Sequence, residues 1–238
     1  MFIYLDLESL PNPDYGEIAR PTTADLKCPK TLKKQETIDA WWASPEREDE
    51  LEEIYQKRVN EFRKTALNPW ECQVFCIAWA IEESGLIMDE EIKVIWGLDE
   101  KLLLEQFSDA LQTGYEKKIV DKMSVSTFVG FNLRNFDNSV LRLKSIKHKL
   151  SWLTQVLPTR KYHDRIEDIM EMSLMTTRLT IDKYVGLDYV CKFFGMEGKG
   201  EIEGSNVYDH YLEGKYQEIA DYCKDDVEKT RTLHKLLR

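Results

Sequence analysis

The sequence predicts an α/β domain built around a mixed β-sheet, on three observations. The chain opens on a strand-like run, FIYLDLE, that is apolar through Leu5 and then alternates. Further strand-like runs at 73–82, 91–97 and 124–132 are interleaved with amphipathic helical patterns, the order expected of helices that cover a sheet. Its 238 residues are 42% hydrophobic and 32% charged, with only 11 Gly and 7 Pro. That is enough to bury a sizeable core and unlike collagenous, low-complexity or disordered chains.

After the opening strand, Pro11, Pro13, Pro21 and Pro29 make residues 10–30 a long irregular loop, a feature often functional. In SPEREDELEEIYQKRVNEFRK, Ser44 is a candidate N-cap and Pro45 the first helical position. Early acids and late bases there complement a helix dipole. Leu51, Ile54, Tyr55, Val59 and Phe62 recur at helical spacing, so one face can pack. Residues 73–82 and 91–97 read as paired strands around a turn at Glu83–Asp89, and 99–112 as an amphipathic helix. The run 124–132 is a strand, and 135–149 a helix that ends basic. DRIEDIMEM (164–172) fits either a strand or a helix. Short helices over 186–195 and 206–214 are stopped by Gly195 and Gly214, and 215–238 is a long C-terminal helix. The expected organisation is a single domain over 1–238, with 11–69 a helical and loop insertion of unassigned role after the first strand. Trp70, Trp79, Trp96, Phe193 and Phe194 are expected in the core. The glycines around Lys199 lack the order of a phosphate loop.

The charge balance is 33 basic against 43 acidic residues, a net charge of −10. Broad electrostatic attraction to a duplex is not expected from such a chain. A local metal-loaded site for one nucleic-acid end remains open, because carboxylates that hold divalent ions add to the negative total. Cys28, Cys72, Cys76, Cys191 and Cys223 are odd in number and contain no CxxC pair, against a disulfide framework or a zinc site. No run approaches the ~18 apolar residues of a membrane span, and MFIYLDLESL lacks the basic start of a signal peptide. The expected location is a reducing cytoplasm, bacterial or that of a virus-infected host cell, with no membrane partner.

Three places carry candidate chemistry. Asp6 and Glu8 lie two apart on the first strand, so their side chains share one face. Two carboxylates on a core strand oppose each other's ionisation unless a cation lies between them. Mg²⁺ and Mn²⁺ prefer such oxygen ligands. Asp137 follows a strand and opens a helix in FVGFNLRNFDNSV, with Asn132 at the strand exit. Tyr222 and Asp226 lie four apart on the C-terminal helix and so share a face, whereas Asp221 and Asp225 read as its solvated side.

Taken together, LDLES, FVGFNLRNFD and YCKDD resemble the three motifs of the DEDD superfamily of 3′–5′ exonucleases, which has the ribonuclease H-like fold. The surrounding residues look like the proofreading domain of family B DNA polymerases and stand-alone exonucleases related to it. The resemblance covers 1–10 and about 70–238 and leaves out 11–69. The His form of the superfamily would need histidine at Asp221; Tyr222 instead points to the Tyr form, DEDDy.

The resemblance implies a metal-dependent enzyme that removes nucleoside 5′-monophosphates from the 3′ end of a single strand, with DNA favoured over RNA. It implies two divalent ions, Mg²⁺ or Mn²⁺. Asp6 would bridge both, Glu8 and Asp226 would complete the shell of the first, and Asp137 would hold the second directly or through water. Tyr222 would orient the attacking water, because a phenol of ordinary pKa near ~10 is a poor base at neutral pH. The backbone at Leu7 and Leu10 would meet the terminal nucleotide, and Asn132 and Phe136 could line the cleft; Phe136 fits helix-core packing equally well. The basic run Arg142, Lys144, Lys147, His148 and Lys149 suits either a phosphate track or a solvated helix end. Lys30, Lys33 and Lys34, near Trp41 and Trp42, combine charge with stacking surface suited to a single strand, but a structural role is the preferred reading of the two tryptophans. Asp168 is assigned a structural role. Against the enzyme stands a binding module that kept the fold without the chemistry.

Overall fold

The computed structural model describes residues 1–15, 18–82, 91–116, 126–159, 165–175, 185–198 and 202–238. Its sheet is built outward from β1 (Phe2–Pro11). On one side β1 pairs antiparallel with β2 (Cys72–Glu82), which pairs antiparallel with β3 (Lys93–Trp96). On the other it pairs parallel with β4 (Thr127–Gly130), which pairs parallel with β5 (Ile166–Asp168). The order β3-β2-β1-β4-β5 is the expected mixed sheet.

β1 is apolar on both faces because helices cover both. Ile3, Leu5 and Leu7 face a core filled by α3 (Glu100–Glu116), α4 (Asp137–Lys147) and α5 (Ser151–Val156). Phe2, Tyr4 and Leu10 face a second core. It is filled by α6 (Ile169–Met175), α7 (Leu187–Phe193), α8 (Val207–Leu212) and α9 (Tyr216–Leu237). The pairing slips between Glu8 and Ser9, where Glu8 meets Cys76 and Ser9 meets Val74. Phe75 is thus the extra residue of a bulge, and it joins Cys76 in the α9-side core.

Between β1 and β2 lie two further helices, α1 (Gln35–Trp42) and α2 (Glu46–Lys64). α2 starts one residue after the expected position, with Pro45 at its N-cap and not at its first helical position, and Ser44 Oγ accepts from Glu46 N–H at 3.4 Å. Arg63 near its end grips Asp209 of α8 through two hydrogen bonds of 2.5 and 3.0 Å. Ser9 Oγ donates to Ala66 O at 2.7 Å. These contacts seat the insertion against the end of β1.

Several expectations need correction. α1 and α5 lie where no helix was expected, and no residue of α1 is buried. DRIEDIMEM is both things: β5 ends at Asp168 and α6 begins at Ile169. Of the five aromatics assigned to the core only Trp79 is buried. Trp96 lies on edge strand β3, Trp70 precedes β2, and Phe193 and Phe194 close α7 on its outer side while Leu187, Val190 and Cys191 take the inner one. The basic run of α4 is neither a phosphate track nor fully solvated. Lys144 is buried, with Nζ on Cys72 O, and Lys144, Lys147 and His148 all approach the buried carboxylate of Glu100. Arg142 Nη1 donates to Thr154 O at 2.8 Å. The expected turn at Glu83–Asp89, Ser124 and Val125, Asp164, Lys199 and Gly200 lie outside the described residues. No described helix is long and apolar enough to cross a membrane.

Candidate active site

The site forms where β1 outruns its parallel neighbour. β4 pairs with β1 only over Phe2–Tyr4, so Asp6 and Glu8 stand beyond the carboxyl end of β4. Crevices at the carboxyl ends of parallel strands are where open α/β sheets place ligands. Asp6 and Glu8 lie opposite Ala78 and Cys76 on β2, small residues that leave room above the sheet.

The same divergence frees the Leu7 amide, which donates to Asp137 Oδ1 at 3.2 Å. Asp137 is the first residue of α4, and the turn before it is tightly specified. A Cβ at Gly130 would meet Leu133 Cβ at 2.8 Å and Leu5 O at 3.0 Å. Asn132 adopts φ 59°, a left-handed geometry that Asn tolerates better than most residues. Asp168, buried at the end of β5, accepts from the amides of Asn132 (3.0 Å), Arg134 (2.9 Å) and Met170 (3.1 Å). It therefore shapes the loop that presents Asp137, consistent with a structural role.

From the other side α9 presents Tyr222 and Asp226, both buried and one turn apart. Carboxylate oxygens of Asp6, Glu8 and Asp226 all lie within 4.8 Å of one another. The Tyr222 hydroxyl and the Asp226 carboxylate share a hydrogen bond. Below them Cys223 Sγ donates to Asp6 O at 3.5 Å and meets Cys76. This thiol floor had no signal in the sequence beyond two cysteines in separate elements. Lys229, one turn past Asp226, is committed to Asp225 and to Gly198 O.

Burial, and then the neighbouring Asp137, Glu8 and Asp226, push the Asp6 carboxyl well above the usual carboxylate range. Asp137 rises to about 7, chiefly through burial; Asp168 and Asp226 add to the rise, against the Leu7 amide and its own backbone hydrogen bond. Burial first, then Glu8, Asp226 and Asp6, raises the Tyr222 phenol. Asp6 and Asp137 thus favour their protonated forms unless a cation lies among the acids.

The donor set suits a hard divalent cation. It is all oxygen and drawn from separate elements, and the buried Asp6 Oδ2 meets no hydrogen-bond donor, as a metal-facing oxygen should. Asp6, Glu8, Asp137, Tyr222 and Asp226 are therefore brought together as their motifs suggested. Around them, Asn132 sits in the shaped loop with its Oδ1 accepting from Asn135 Nδ2 at 2.8 Å. Phe136 is half-buried and packs against the α4-side core. Leu7 and Leu10 have buried side chains, so only their backbone atoms can meet a ligand.

A family model described as a predicted 3′–5′ exonuclease related to the exonuclease domain of PolB matches residues 72–236. The matched range includes Asp137, Tyr222 and Asp226, while Asp6 and Glu8 precede it. Among curated proteins none matches the chain significantly.

Proposed function

The chain belongs to this family of predicted 3′–5′ exonucleases related to the PolB exonuclease domain, and from that premise we propose that it is a metal-dependent 3′–5′ exonuclease acting on single-stranded DNA and releasing nucleoside 5′-monophosphates. The observation that carries the reading is the convergence of Asp6, Glu8 and Asp226 within 4.8 Å, beside Asp137 and under Tyr222. A binding module has no use for buried acids that destabilise its own fold. We assign the whole chain, 1–238, to one exonuclease domain, with 11–69 an elaboration docked at the end of β1.

Asp6, Glu8 and Asp226 would hold one Mg²⁺ or Mn²⁺, and Asp6 with Asp137 a second. When bound, such a pair supplies an activated water and charge neutralisation at the leaving 3′-oxygen. Asp137 is aimed by the Leu7 amide, so β1 fixes both groups of acids at once. Tyr222 keeps its proton, since its phenol is raised. It therefore orients the attacking water through its hydroxyl and does not abstract the proton. Asn132 and Phe136 line the approach and are assigned to the terminal nucleotide, together with the backbone of Leu7 and Leu10.

The test is a gel time course with a 5′-labelled single-stranded DNA oligomer and Mn²⁺ or Mg²⁺, beside Asp6→Ala and a matched RNA oligomer. A ladder shortening from the 3′ end in the wild type alone supports the reading. Degradation confined to RNA would move the substrate assignment. Intact DNA and RNA in every lane would return the chain to the binding-module class.

A further inference from the structure

Helix α9 runs antiparallel to β1 across the site, so residues on the two elements face each other in rungs. Glu8 faces Tyr222, Asp6 faces Asp226, and Tyr4 faces His234. The three β1 residues alternate onto one face of the strand. The Asp6–Asp226 rung is repulsive when both acids ionise without a cation.

That third rung is closely specified. The Tyr4 hydroxyl lies 2.9 Å from His234 Nδ1, and His234 Nε2 lies 2.6 Å from Glu167 Oε2 on β5. The Glu167 carboxylate accepts from Nε2, and the Tyr4 hydroxyl closes the chain at Nδ1. Tyr4 and His234 are each 1% exposed, and the Phe2 ring meets His234 edge-on at 5.0 Å. The chain ties β1, α9 and β5 through fixed atoms. Between α9 and β1 the long Cys223 Sγ–Asp6 O contact of 3.5 Å is weak, and the apolar contacts around the rung are less directional than its hydrogen bonds. Hydrogen bonds that hold supporting elements in one arrangement are what metal sites need from their surroundings.

We propose that the Tyr4–His234–Glu167 chain sets the register of α9 against β1 and thereby holds Asp226 opposite Asp6 at metal-binding distance. Tyr4 and His234 are positioning residues in this account, which rests on the metal-site reading above. Without the rung, α9 relieves the repulsion between Asp6 and Asp226 by shifting, and the ion must pull it back.

The test is calorimetric titration with Mn²⁺ well below the melting temperature, for wild type, Tyr4→Phe, His234→Leu and the double variant. Tyr4→Phe keeps the ring and its packing, so it reports even if His234→Leu does not fold. Each single variant is expected to bind Mn²⁺ about tenfold more weakly, ~1.4 kcal/mol. The double variant should be within about twofold of either, because one rung is lost once. Phe107→Leu, in the core on the opposite face of the sheet, serves as a control for general destabilisation and should leave Mn²⁺ affinity unchanged. Wild-type affinity in Tyr4→Phe, or an equal loss in Phe107→Leu, overturns the positioning role while leaving the metal site intact. A wild type that binds no Mn²⁺ overturns the metal reading and this proposal with it.

Discussion

A carboxylate at the centre of a sheet opposes folding, and Asp6 has Asp137, Glu8 and Asp226 as charged neighbours. Asp6→Asn removes one charge from this cluster with little change in shape. The metal-free variant is expected to melt higher than wild type by differential scanning calorimetry, and to lose most of the Mn²⁺-induced rise. A lower metal-free melting temperature would contradict the electrostatic account. Asp137 gives the pH dependence. Burial pushes its carboxyl up to about 7 from the ordinary aspartate value of 3.8, so the native state holds a proton that the unfolded chain releases. The stability this contributes is fully present below the unfolded value and is lost as pH rises through the folded one. Metal-free protein should therefore melt lower at about pH 8 than at about pH 5, with a shallower fall in Asp137→Asn. An equal slope in the two proteins would remove Asp137 as the cause. Tyr222→Phe deletes only the hydroxyl to which the proposed mechanism gives the orienting of water, and kcat should fall about tenfold, near 1.4 kcal/mol of barrier, with KM little changed. Unchanged kcat would dismiss the orienting role.

At the scale of elements, α3 and α4 are joined by a buried charge cluster on the face of the sheet away from the site. Glu100 Oε2 accepts from Val74 N–H at 2.8 Å and lies 3.8 Å from Lys144 Nζ, whose side chain is 2% exposed. Removing one partner of a buried pair is costly, so Glu100→Gln is expected to lower stability by about 3 kcal/mol. Adding Lys144→Met should recover much of it, while Mn²⁺ binding stays as in wild type; urea melts and calorimetry check both. The sequence made the sheet strands legible because β1 and β2 are apolar on both faces and bounded by turn residues. It made α9 legible through one amphipathic face. The Asp6–Glu8 pair was legible because two carboxylates on a core strand make little sense without a cation, and Asp137, Tyr222 and Asp226 through the order of the three motifs, which resembles that of the DEDD exonucleases. α1 escaped because it buries nothing, and α5 because six residues carry too little periodicity. Trp70, Trp96, Phe193 and Phe194 misled because hydrophobicity alone does not say which side of an edge strand or short helix faces out. The Leu7 amide escaped as a partner for Asp137 because the early end of β4 is a matter of pairing that residue types do not encode.

For the molecule as a whole, the mixed sheet, of five strands among the described residues and with helices on both faces, brings β1, α4 and α9 to one point. Acids from all three meet there, and the net charge of −10 leaves little long-range attraction for a polyanion. On the proposed function, recognition then comes from the site and the ions it would hold, with few phosphate contacts elsewhere. The most direct measurement is the identity of the first product. A single-stranded DNA oligomer labelled in its 3′-terminal nucleotide is incubated with wild type and with Asp226→Asn, with and without Mn²⁺, and the label is resolved chromatographically. The expected result is release of the label as a nucleoside 5′-monophosphate by wild type with Mn²⁺ only. Release as a 3′-monophosphate, as a longer internal fragment, or equally by Asp226→Asn would contradict the account.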